Sequence, residues 1–329
     1  MTLLEEILQA EDRTRQHIRE TFLDFSPRFS EIVGGHVLFK LENQQHTGSF
    51  KLRGAMNRIY SLSPAEAKQG IVTASSGNHG AAVAKALTLF DTPGIVYVPV
   101  GTSKTKVENM EQYGIEVRYE GDDGVVAELA ARNFANASGK TFISPYNDLQ
   151  VAAGQGTCAV EIERQLSRES ADYVFVAVGG GGLISGIGCY LKSVWPNVKI
   201  IGCQPAHSDV MAQSIKAGEI LDLPSLPTLS DGTAGGIEPN AITFNFVQKY
   251  VDEFAIVTEK EIANAMTQYM SIHHQMIEGA AGVAVAGLLQ KKAEIQGKTS
   301  VVIICGGNIG MDTLANVINQ TLDIDKGGK

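Results

Sequence analysis

Continuous apolar runs of strand length, separated by stretches with helical spacing, constrain this 329-residue chain more than any other feature. Strands are predicted at VLFKLE (37–42), GIVTAS (70–75), GIVYVPV (94–100), IEVRYEG (115–121), YVFVAVGG (173–180), KIIGCQP (199–205) and SVVIICGG (300–307). Between them lie helical patterns such as NHGAAVAKALTLF, TKVENMEQYG and GVVAELAARNFANASG. A strand that is apolar on both faces must be covered on both faces, and alternating strands and helices supply that cover in a parallel α/β sheet. Residues 63–146 repeat strand and helix with short links and are expected to form a small α/β domain, with 1–62 and 147–329 forming a larger one. The fold class is therefore α/β, two doubly wound domains with mostly parallel sheets. Ligands in such folds bind beyond the carboxyl ends of the strands.

Composition narrows the partners. A net charge of -9, with lysines and arginines scattered rather than striped, argues against nucleic acid or an anionic membrane. No segment approaches the roughly 20 apolar residues of a membrane span. The N-terminus, MTLLEEILQAEDRTRQ, is acidic and amphipathic and lacks the apolar core and cleavage site of a signal peptide. Cys158, Cys189, Cys203 and Cys305 form no CxxC, and a reduced cytoplasm is expected.

Four strand-end or helix-start motifs carry the chemistry. In HTGSFKLRGA (46–55), Thr47-Gly48-Ser49 is expected to turn the chain and cap a helix starting near Phe50. Lys51 then sits in the first turn, where the helix dipole disfavours an ammonium. The lysine is either an ordinary helix residue or an amine activated as nucleophile or base. In TASSGNHG (73–80), the turn Ser75-Ser76-Gly77-Asn78-His79 before a helix aims backbone amides at one point, a carboxylate or phosphate site. A plain polar cap reads equally well there.

In AVGGGGLISGIG (177–188), four consecutive glycines have no expected packing value and cost backbone entropy, so they point to a backbone wrapped around phosphate. A dinucleotide is disfavoured, because Ser185 stands where G-x-G-x-x-G needs glycine and Gln204 where a ribose site needs an acid. In VVIICGGN, Cys305 is either a packing thiol or a small polar group facing a ligand. Glu278 in EGAAG is either a functional carboxylate or the acidic edge of a small-residue helix. HExxH and GxSxG are absent, and adjacent His273 and His274 diverge by roughly 100° on a helix, so no metal is expected there.

Taken together, ENQQHTGSFKLRGA, TASSGNHG, SPYNDLQVAAGQGT, GGGGLISG, EGAAG and CGGN, in this order, resemble the fold type II (tryptophan synthase β-like) pyridoxal-phosphate enzymes. The nearest branch is similar to the serine/threonine dehydratases and serine racemase. The resemblance implies pyridoxal 5'-phosphate in the cleft between the two domains. Lys51 would hold it as a Schiff base, with Phe50 against the ring. Asn78 would bond the ring hydroxyl oxygen, and Cys305 would face the pyridine nitrogen. Gly179, Gly180, Gly181, Gly182 and Leu183 would cradle the phosphate. Ser75, Ser76, Gly77, Asn78 and His79 would bind the substrate carboxylate. Lys51 and Ser76 would be the catalytic pair, Ser76 on the face opposite the lysine.

The implied activity is elimination of water from a β-hydroxy amino acid such as L-threonine or L-serine, giving a 2-oxo acid and ammonia. Serine racemisation, or dehydration of 3-hydroxyaspartate or a hydroxyectoine-derived substrate, is the alternative. SDGTAGGIEPNAITF (230–244) is loosely similar to hydroxyectoine-utilisation dehydratases. The HTGSFKLRGA form is unlike cysteine-synthase-type β-replacement enzymes, whose lysine is usually followed by Asp-Arg. A divalent-cation site of serine racemase falls at Gln204 and Val210 here, so that metal site is expected to be lost. The chain runs about 20 residues past CGGN, which implies no C-terminal regulatory domain and no isoleucine feedback. A homodimer is also implied.

Overall fold

The computed structural model describes residues 1–90, 92–167 and 169–326. Ten strands are present: β1 Leu23–Phe25, β2 His36–Lys40, β3 Ile71–Ala74, β4 Gly94–Val98, β5 Glu116–Tyr119, β6 Thr141–Phe142, β7 Tyr173–Ala177, β8 Lys199–Pro205, β9 Glu253–Val257 and β10 Thr299–Ile303. They form a six-stranded sheet, β1-β2-β10-β7-β8-β9, and a four-stranded sheet, β5-β4-β3-β6. Every pairing is parallel except β1 with β2. All of β7 and β3 is buried, as continuous apolar strands covered on both faces require.

The seven expected strands are all present, with β8 as bounded from sequence and the others shorter. The run 300–307 leaves the sheet after Ile303, and VLFKLE ends at Lys40 because Glu42–Gln44 closes a 3-10 turn. Three strands escaped the sequence reading. β1 and β6 span three and two residues, and β9 is an edge strand carrying Glu253. β1 and β6 are too short to present an apolar run, and β9 presents only the four residues 254–257 at the sheet edge.

The larger sheet holds the main core. The smaller one shares its second core with Leu52, Ala55, Met56 and Ile59 of the helix Lys51–Tyr60. That helix thus packs on the smaller sheet's helices although it precedes residue 63. It also touches the helix Leu149–Leu166 backbone to backbone: a Cβ on Gly154 would lie 2.5 Å from the Arg53 carbonyl oxygen. A Cβ on Gly186, in the helix Gly182–Val194, would lie 2.6 Å from the Gly156 nitrogen. Glycine at these contacts lets three helices approach closely, so Lys51 and the glycine loop share one rigid frame. No helix among the described residues is long and apolar enough to cross a membrane.

Candidate active site

The Lys51 turn is sewn to the end of β10. Ser49 bridges Gly306, the Phe50 amide donates to the Cys305 carbonyl at 3.0 Å, and the Gly307 amide donates to the Gly48 carbonyl at 2.9 Å. The expected side-chain cap is absent. The helix begins at Lys51 with Phe50 as its N-cap, in helical geometry, and no side chain caps it. The turn's backbone is committed to β10, and the Thr47 and Ser49 hydroxyls are buried without a protein partner.

The Lys51 Nζ donates to the Pro145 carbonyl at 3.0 Å and stands 5.3 Å from the Phe50 ring centroid. Removal from water pushes its pKa down to about 8, against the pull of Cys305 and Glu278. Cys305 is itself buried, and its thiol pKa is raised by burial and then by Glu278. The thiol therefore stays neutral through the range near pH 8 in which the amine loses its proton.

At the end of β3, Ser75, Ser76 and Gly77 form a half-buried turn into the helix Asn78–Leu87. The first amide bonded within that helix is Ala81 to Gly77, so the amides of Asn78, His79 and Gly80 precede the ladder, and no side chain caps them. This removes the plain-cap reading of the turn and keeps the anion site. The Asn78 side chain lies in a knot the sequence did not reveal. Its Nδ2 donates to both oxygens of Glu278 at 2.9 and 3.0 Å, and its Oδ1 accepts from Asn308 Nδ2 at 2.7 Å. The Asn308 amide donates to Glu278 Oε2 at 3.1 Å.

Glu278 is buried, and its pKa rises to about 7, chiefly from burial. A Cβ on Gly306 would lie 2.5 Å from its Oε1, which explains the first glycine of CGGN. Glu278 and Asn308 are thus site residues. The only signal for them was their placement in small-residue motifs, EGAAG at a helix start and CGGN after a strand. His79 is buried, its Nε2 lies 3.2 Å from the Ile143 carbonyl, and burial followed by the Lys51 charge drops its pKa to about 3. Its Nδ1 has no protein partner.

The four-glycine loop lies between β7 and the helix Gly182–Val194. The expectation that these glycines have no packing value is wrong. A Cβ on Gly180 would strike the Tyr146 ring, one on Gly179 would lie 3.0 Å from Thr233 Cα, and Gly181 has φ +85°. Close packing and backbone handedness demand glycine here whatever the ligand. The anion argument rests instead on amides: the ladder starts with Ser185 to Gly181 at 3.0 Å, leaving Gly182, Leu183 and Ile184 ahead of it. The Ser185 hydroxyl is buried there without a protein partner.

Beside this loop Gln204 Nε2 donates to the carbonyls of Val178 at 3.0 Å and Ser208 at 3.4 Å, and Oε1 accepts from the Ala212 amide at 2.8 Å. A side-chain amide thus fills a carbonyl-lined spot, and Val210 beside it is buried.

The site therefore has an amine of depressed pKa, two helix N-termini with unladdered amides, and orphaned buried polar atoms on Thr47, Ser49, His79 and Ser185. Such a set suits an elongated group with an anionic head, a reactive carbonyl and polar ring substituents, which is the chemistry of pyridoxal phosphate.

The chain belongs to the pyridoxal-phosphate dependent enzyme family, which it matches over residues 14–306. Its cofactor is pyridoxal phosphate. It is 39% identical over 322 residues to an L-threonine ammonia-lyase of Thermotoga maritima, covering 98% of this chain and 79% of that one. A catabolic L-threonine dehydratase of Escherichia coli is 37% identical, with 95% of each chain covered. The solved structure of maize serine racemase superposes with a TM-score of 0.89 at 30% identity, covering 98% of both chains.

Proposed function

We propose that this chain eliminates water from a β-hydroxy amino acid, L-threonine or L-serine, to give a 2-oxo acid and ammonia. The observation that carries the reading is the half-buried Lys51, its amine on the Pro145 carbonyl with a pKa of about 8 and within electrostatic reach of Cys305, Glu278 and His79. The activities named for the Thermotoga and Escherichia relatives support it.

Pyridoxal phosphate, when bound, supplies a conjugated electron sink for the electrons left on the substrate α-carbon. In this reading Lys51 would hold it covalently, and its free amine would take the substrate α-proton. A base of pKa about 8 is well matched to that task near neutral pH. Amides of the Ser75, Ser76, Gly77, Asn78 and His79 segment hold the substrate carboxylate. Those at the Gly179–Gly182 loop and Leu183 hold the phosphate. Phe50 packs against the ring. Asn78, aimed by Glu278 and Asn308, serves the ring hydroxyl oxygen. Cys305, kept neutral by its raised pKa, would give the ring nitrogen no counter-charge, which would keep the sink mild. Ser76 holds a proton on the face opposite Lys51.

A panel of L- and D-serine, L-threonine and 3-hydroxyaspartate, scored for 2-oxo acid, ammonia and chirality, tests this. Change of chirality without 2-oxo acid would replace the lyase with a racemase, and turnover of 3-hydroxyaspartate alone would move the substrate. We also infer a cytoplasmic homodimer, with 63–146 as the small domain and 1–62 with 147–329 as the large one. No divalent cation is needed at Gln204 and Val210, because the Gln204 amide already joins the Val178 and Ser208 carbonyls. Magnesium or a chelator is therefore expected to change the rate less than about twofold, a few tenths of a kcal/mol in barrier. Strong activation by magnesium would contradict this.

A further inference from the structure

Two residues after Lys51, on the same helix, Arg53 is completely buried. Two residues along a helix turn the side chain by about 200°, so Arg53 leaves the helix on the side away from the Lys51 amine. It makes two forks. Its Nε and Nη2 donate to Glu42 at 2.7 and 2.8 Å, and its Nη1 and Nη2 donate to Glu161 at 2.8 and 2.8 Å. Nη1 also reaches Thr157 Oγ1 at 3.1 Å, and Nη2 reaches Thr21 Oγ1 at 3.4 Å. Every guanidinium N–H bond is thereby used.

Buried Lys40 donates to Glu161 Oε2 at 2.6 Å and to the Thr21 carbonyl at 2.6 Å. Two buried cations, Arg53 and Lys40, thus face two buried carboxylates, Glu42 and Glu161, and the interior charge balances. Half-buried Arg15 adds a bond to Glu161 Oε1 at 2.7 Å and links onward to Glu11 and Glu20 near the surface.

The anchored elements give this cluster its meaning. Glu42 follows β2, whose neighbour β10 leads to Cys305. Thr157 and Glu161 lie on the helix Leu149–Leu166, which starts four residues after Pro145, the carbonyl partner of the Lys51 amine. Arg53 is therefore clamped to the two bodies that carry the other groups around that amine. Buried ion pairs of this kind contribute little net stability against apolar packing, but a planar double fork fixes orientation as few other groups do.

We propose that Arg53 is a positioning residue for the elimination reaction: its forks to Glu42 and Glu161 fix the roll of the Lys51 helix and so the height of the amine against the Pro145 carbonyl. The proposal rests on Lys51 being the cofactor-bearing base, as proposed above. That is checked separately by borohydride fixation of the wild-type holoenzyme and peptide mapping; label elsewhere than Lys51 would sink the function and leave Arg53 without this role.

With Lys51 labelled, Arg53→Lys keeps the charge but cannot make either fork. Its kcat is expected to fall 10- to 100-fold with KM within about threefold, and the pH at which the bound-cofactor absorbance changes should shift. Arg15→Gln removes an outer link of the same cluster without touching the Lys51 helix, and should lower Tm while leaving kcat per folded molecule unchanged. Thr157→Val removes one Arg53 acceptor with little volume change, and a three- to tenfold loss of kcat is expected. If Arg53→Lys does not fold, Thr157→Val decides. A kcat within twofold of wild type in Thr157→Val, or within threefold in Arg53→Lys, overturns the proposal. So does a loss of kcat in Arg15→Gln that matches Arg53→Lys at equal Tm.

Discussion

Lys51→Ala is expected to lower kcat by about 10,000-fold or more, because one residue supplies both the covalent attachment and the base. The other lysine buried in this part of the fold does not replace it. Lys40 is buried in ion pairs with Glu161 and hydrogen-bonded to the Thr21 carbonyl, so its amine is neither free nor directed at the site. The variant should bind pyridoxal phosphate through its phosphate amides yet lose the colour of the lysine adduct, and borohydride should fix no cofactor on the chain. The cofactor-free wild type offers an independent readout. An amine-modifying reagent at limiting concentration should label Lys51 first, with a rate that rises with pH and levels off above about 8, since the neutral form reacts. Cofactor fixed by borohydride on another lysine in wild type, or turnover by the variant above one per cent of wild type, would remove Lys51 from the reaction.

The sequence read best where one element explains itself. β7 and β3 are apolar strands running into glycines and serines respectively, and such strands need no distant partner to be recognised. The Lys51 turn was legible as a turn but not in its wiring, because its partners at Cys305 and Gly307 lie some 250 residues away in the chain. Glycine was over-read for the same reason. Gly180 is glycine because Tyr146 lies on it, a contact that no local pattern discloses.

Glu42, Arg53 and Glu161 were invisible as a group. Each looks like a solvated helix or turn charge, and only the fold shows that all three are buried against one another. Glu278 stood between two readings, and what separates them is the pair of donors from Asn78 and Asn308. The missed strands β1, β6 and β9 are short or lie at an edge, where packing against neighbours rather than residue preference decides the conformation.

Glu278→Gln is expected to lower kcat between about 10- and 100-fold while leaving the protein about as stable as wild type. The sign follows from where the carboxyl titrates. Its folded pKa of about 7 lies above the ordinary 4.5, so between those values the folded protein holds a proton that the unfolded chain releases. Stability from this group is greatest below pH 4.5 and falls as pH rises to about 7. By pH 8 the ionised carboxylate costs the fold about 3 kcal/mol, taking about 1.4 kcal/mol per pH unit. That cost sustains an arrangement of acceptors alone: both oxygens take Asn78 Nδ2, and one also takes the Asn308 amide. A glutamine amide removes the charge but turns an NH2 toward one of those donors, leaving a buried clash of donors worth about 1–3 kcal/mol. The two changes nearly cancel in stability, but not in activity, because Asn78 and Asn308 lose the fixed acceptor that aims them. In wild type, kcat should therefore rise with pH through about 7 as Glu278 ionises and the knot is completed. In Glu278→Gln that limb should vanish. A limb near pH 7 that persists in the variant would assign it to another group, and a large fall in Tm at pH 8 without loss of kcat would make Glu278 a structural residue only.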